Sequence, residues 1–185
     1  MAPEAASASL FWPHIPAPLL ESRLCDVHAA RIPYELFEPP HWQAFLAALA
    51  RAPERAAHAR AFECAPESVL EAALALGIAS QALFAALFQR APERAERELE
   101  QALDAPDERE TRRLAALLAA APDAELPSVF ALVSRPNVQN LGGEKLRVVR
   151  RFLHGCVRTR RPGYREAYAC LSVLEQRLAP ALERA

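Results

Sequence analysis

A chain of 185 residues with a formal charge of −1 has the length of one sizeable domain and no overall field that would commit it to nucleic acid or an anionic membrane. Its hydrophobic share of 52% suffices for a core, while sixteen prolines, five glycines and few β-branched residues argue against strands and for short helices. Four widely spaced cysteines without a CxxC pair (Cys25, Cys64, Cys156, Cys170) speak for free thiols over a disulfide framework.

Residues 1–40 hold seven of the prolines, and aromatic residues cluster from Phe11 and Trp12 through Tyr34 and Phe37 to Trp42 and Phe45. They read as an irregular arm that packs on a helical body (41–185) and caps its open end, with a partner-binding segment as the alternative. Inside the arm, PLLESRLCDVHAA starts with Pro18 at a first helical position and aligns Leu20, Leu24 and Val27, so one helix is expected there. The opening MAPEAASASL carries an acid and no basic run; it does not read as a secretory leader, and a cytoplasmic location is expected.

From residue 41 to 125 the text is Ala-rich and regularly interrupted. HWQAFLAALAR places Trp42, Phe45, Leu46 and Leu49 at helical spacing. Ala-Pro followed by an acid occurs at 52–54, 65–67, 91–93, 105–107 and 121–123. Proline lacks an amide hydrogen, disfavours helical geometry in the residue before it and suits the first turn of the next helix; the acid complements that helix's dipole. The tripeptide therefore marks the end of one helix and the start of another. RAPERA stands at 51–56 and again at 90–95, and the flanking apolar residues keep the same phase at an offset of 39 residues. It reads as a joint used twice in similar helical hairpins. The apolar run 68–88 raises the question of a membrane span, but Glu71, Gln81 and Gly77 divide it into two shorter amphipathic helices, and no membrane association is expected.

Residues 126–143 hold both asparagines of the chain and two adjacent glycines, which predicts a loop preceded by a short helix at 127–134. Arg135, Asn137, Asn140, Gly142 and Gly143 are its candidate contact residues. The segment 144–185 reads as a helix pair, roughly 143–158 and 163–178, the second with Ala167, Leu171, Leu174 and Leu178 facing inward. Between 144 and 165 stand eight Lys and Arg residues and one acid. Leu146, Val149, Phe152, Leu153 and Cys156 form the apolar side of the first helix, with Arg147, Arg151, His154 and Arg158 opposite. Like charges at this spacing repel, which points to an anionic neighbour, either an external partner or the acidic stretch 93–110; the third reading is a solvated charged face. Arg150, Arg160, Arg161 and Arg165 extend the candidate binding set.

Cys25 with His28, and His154 with Cys156, would give four zinc ligands only if two distant segments met; no metal or cofactor is expected. No nucleophile elbow, Walker loop, dinucleotide-binding glycine motif or H-E-x-x-H is present, so no enzyme activity is expected. The expected molecule is all-α: stacked antiparallel helical hairpins, solenoid-like, behind a Pro-rich arm. Its expected function is that of a binding or adaptor module for a protein partner. A nucleic-acid-binding subunit using the same arginines is the alternative. An enzyme or metalloprotein whose site is hidden in sequence is the third reading.

Overall fold

A computed structural model of the chain describes residues 34–51, 59–105, 110–135, 138, 141 and 143–182. Regular structure among them is entirely helical, with no strand, and the chain is all-α as its composition predicts. It divides into two compact units, residues 1–86 and 87–185.

In the first unit a 3-10 turn (Tyr34–Leu36) precedes α1 (Pro39–Arg51), α2 (Ala59–Cys64) and α3 (Glu67–Ala75); α4 (Gln81–Arg90) runs across the division after Ala86. The periodic residues Trp42, Phe45, Leu46 and Leu49 are all buried. Phe45 meets Tyr34, Trp42 and Phe62 edge-on, with ring centroids 5.6–5.8 Å apart. Phe37 sits 5.2 Å from Tyr34 and 5.0 Å from Trp42. Such pairs add about 0.5–1.5 kcal/mol each beyond the area they bury. The end of the aromatic segment thus folds onto α1; residues 1–33, with the expected helix around 18–30, lie outside the described residues. His41 reaches back to accept the Glu38 backbone N–H through Nδ1 at 3.1 Å, which satisfies one donor of the helix start.

Three Ala-Pro-acid signals act as stops and starts. Helix α2 ends at Cys64, and α3 begins at Glu67. Helix α4 ends at Arg90, Ala91 is extended, and α5 (Pro92–Asp104) opens on its proline. Helix α6 (Glu110–Ala120) ends before Pro122, and a 3-10 turn (Asp123–Glu125) leads into α7 (Leu126–Val133). The second RAPERA is therefore a helix joint; the first falls at residues outside the described set beyond Arg51. Within the apolar run, α3 closes in a Schellman turn with Gly77 at φ 69°: Ile78 N–H bonds the Ala73 carbonyl and Gly77 N–H that of Leu74. Among the described residues no single helix is long and apolar enough to cross a membrane.

The second unit continues through α8 (Gly143–Arg158) and α9 (Tyr164–Leu182). Helix α5 packs on α6 and α7, α6 also on α8, α8 also on α9, and α9 also on α7, which makes a closed circuit of packed pairs. Leu99, Leu114, Leu117, Leu118, Leu126, Val129 and Leu153 are fully buried in this unit, each stabilising it by about 1.5–3 kcal/mol. Gly163, at φ 74°, lets the turn into α9 approach Phe130: a Cβ there would stand 2.8 Å from its ring. The basic helix thus has fixed walls on both sides, α6 and α9.

Candidate functional site

The apolar side of α8 is buried through Leu146, Val149, Leu153 and Cys156, with Phe152 half-buried. This orients Arg147, Arg151, His154 and Arg158 to solvent, as the spacing requires. Among the described residues, the acids that meet the basic set come from three places. Glu144 pairs with Arg147 on the same helix. Glu175 of α9 takes Arg150 at 3.1 Å and His154 at 3.5 Å. Asp123 accepts Arg161 Nε at 2.7 Å.

Two acids of the stretch 93–110 pair elsewhere. Glu98 pairs with Arg113 of α6 and lies 3.8 Å from Arg94. Glu100 pairs with Arg135. Burial lowers the Arg113 pKa below the usual guanidinium value.

Two basic residues of the 144–165 stretch turn inward. Lys145 is only 3% exposed, and its ammonium donates to the Ala102 carbonyl at 2.7 Å and the Ala105 carbonyl at 2.5 Å. These are last-turn carbonyls of α5, where a cation also complements the helix dipole. Arg161 donates to the Ala121 carbonyl at 2.7 Å as well as to Asp123, so it ties the end of α8 to the end of α6. The tie is set up by an uncommon turn. Arg161 N–H bonds the Cys156 carbonyl and Arg160 N–H that of Val157, with Arg160 at φ 51° in the place where glycine is usual. Burial pushes the neighbouring Cys156 thiol above its ordinary value, while the Arg161 charge and hydrogen bond oppose the shift.

Arg151, Arg158, Arg160 and Arg165 remain. All four are exposed, and none forms an ion pair with a described residue. Arg165 stands 6.0 Å from the Tyr164 ring centroid. Tyr164, Tyr168 and Val173 of α9 are exposed large hydrophobic residues on the helix that packs beside α8. Gly143 is the first residue of α8, and Arg135 is exposed just beyond α7; Asn137, Asn140 and Gly142 lie outside the described residues. His154 is exposed and Cys156 buried, so these two do not converge as a ligand pair; Cys25 and His28 lie outside the described residues. Among the described residues no group of three or more His, Cys, Asp or Glu is placed to hold a metal ion.

Sequence spacing separates solvent from core on α8 but does not reveal Glu175 as the shared acid. Glu175 is 25 residues from Arg150, and only the packing of α8 on α9 brings them together. The chain matches no protein-family model, no curated protein and no solved structure.

Proposed function

We propose that this chain is a non-enzymatic binding module that engages an acidic protein partner through the exposed face formed by the end of α8 and the start of α9. The observation that carries the reading is the set Arg151, Arg158, Arg160 and Arg165, exposed and unmatched by acids while their neighbours are neutralised internally. Tyr164 and Tyr168 stand on the adjoining helix turns. Arginine and tyrosine are the residues enriched where protein interfaces concentrate their energy. Arg160 adds a second support, since a non-glycine residue in the left-handed region costs about 1–2 kcal/mol and such positions cluster at functional sites.

The charge pattern favours a protein over a nucleic-acid backbone. Glu144, Glu175 and Asp123 interrupt the basic stripe, leaving discrete cations in place of a continuous track. Phosphate binding by these four arginines would weaken with a slope of about −3.6 in log affinity against log salt on duplex DNA. A partly apolar protein interface depends on salt far less.

The test is fluorescence anisotropy of a labelled acidic peptide, a single-stranded RNA and a duplex DNA at low and physiological salt. Wild type runs beside the variant Arg151→Ala/Arg158→Ala/Arg160→Ala/Arg165→Ala. Peptide binding that survives physiological salt and falls at least tenfold in the variant, at unchanged melting temperature, is the expected result. Tighter binding to nucleic acid with the steep slope would replace this reading by the nucleic-acid one. Binding to none of the three would end both.

A further inference from the structure

Beside this surface, the C-terminal end of α7 and the middle of α9 enclose an open groove of about 210 Å³, lined by Val133, Val138, Ala169, Cys170, Val173 and Arg135 among others. We infer that this groove seats one apolar anchor side chain of the acidic partner segment, whose carboxylates meet Arg165 and Arg135 at its margin. The inference rests on the reading above in taking the partner to be an acidic protein.

Size excludes a typical cofactor. Small-molecule sites run to about 300–1,000 Å³, and this groove is smaller and open, the dimensions of one large side chain. Apart from Arg135, the lining offers no unengaged polar side chain. Ser134 Oγ bonds the Phe130 carbonyl at 2.6 Å and lies 2.8 Å from Cys170 Sγ, so the polar groups of the floor are engaged with one another. What remains is aliphatic surface, and Val173 stands in it 47% exposed. Covering such surface with an inserted leucine or aromatic ring is favourable in proportion to the area removed from water.

Charge names the flanks of the anchor. No carboxylate lines the groove, whereas Arg135 does. Its internal partner Glu100 holds it in an ion pair exposed on both sides, of the kind that contributes about 0–1 kcal/mol and exchanges readily for a better-placed carboxylate. Arg165 precedes Ala169 by one helical turn and so lies on the same face of α9, without an ion pair among the described residues. Glu166, one residue on, has its carboxylate oxygen 3.5 Å from the position a Cβ would take at Gly163, on the Phe130 side of the turn. An apolar residue flanked by acids fits this arrangement; one flanked by lysines does not.

The whole chain is titrated against three labelled twelve-residue peptides: a tryptophan among aspartates and glutamates, the same peptide with alanine for tryptophan, and the tryptophan peptide with lysines for the acids. The expected result is at least tenfold tighter binding of the acidic tryptophan peptide than of either control. Val173→Asn and Ala169→Trp, both neutral changes at exposed positions, should each remove the tryptophan advantage and leave binding of the acidic alanine peptide unchanged, with circular dichroism confirming the fold. Equal binding of the two acidic peptides would overturn the anchor and leave the proposed function standing. Equal binding of the lysine-flanked peptide would overturn the choice of flanks, and with it the inference. A tryptophan advantage seen only in a Phe11→Ala/Trp12→Ala variant would assign the groove to the chain's own first segment and overturn it as well. Failure of every acidic peptide would overturn the proposed function together with the inference.

Discussion

Lys145 Nζ donates to two main-chain carbonyls, that of Ala102 in the last turn of α5 and that of Ala105 at its C-cap. Replacing it with methionine keeps the stem's length and leaves both carbonyls short of a donor. Lys145→Met should therefore destabilise by about 2–3 kcal/mol, read as a shift of the urea midpoint at constant slope. Cys156 governs a different variable. Its folded thiol titrates above the ordinary 9.0, so the folded state prefers the neutral form. The sign follows: the contribution is fully present below pH 9 and is lost as pH rises through the folded value. Unfolding free energy measured from pH 8 upward should fall more steeply for wild type than for Cys156→Ala, whatever the offset between the two curves caused by the smaller side chain.

Between elements, two ion pairs do unlike jobs. Glu98 on α5 is 7% exposed and meets Arg113 of α6. Arg113→Ala strands that carboxylate and should cost about 3 kcal/mol, with Arg94 at 3.8 Å a poor replacement. Glu98→Met/Arg113→Met should recover most of the loss, since an apolar pair of similar volume needs no desolvation of charge; thermal melting of the single and double variants checks this. Glu175 on α9 is exposed, and its contacts to Arg150 and His154 are worth little to stability. Glu175→Gln should change stability by less than about 0.5 kcal/mol. It should also tighten binding of an acidic peptide several-fold by releasing Arg150 to the surface, an effect that fades with added salt in the same anisotropy assay.

At the scale of the molecule, the local grammar was legible and the pairing was not. Helices α7 and α8 start within a residue of their expected positions, because proline, the adjacent glycines and the apolar period are local signals. The circuit from α5 through α6, α8, α9 and α7 back to α5 joins segments far apart in sequence, and no periodicity encodes it. That is why the basic stripe was readable as a face while its acids, Glu175 and Asp123, were not. Lys145 was misleading for a related reason. Counting charge grouped it with the exposed arginines, although its spacing to Val149, Phe152 and Cys156 already put it on the apolar side. Its burial has one more result. As the chain's only lysine, Lys145 is the single side-chain target for an amine-directed reagent, and the α5 carbonyls shield it. The rate at which such a reagent acylates it, followed by the mass of the Lys145 peptide after proteolysis, is a clock for how often α8 lifts from the end of α5, and thus for partial opening short of unfolding. Lowering the protein's overall stability with urea should accelerate that clock only where whole-molecule unfolding, and not the local lift, has become the faster route to the amine.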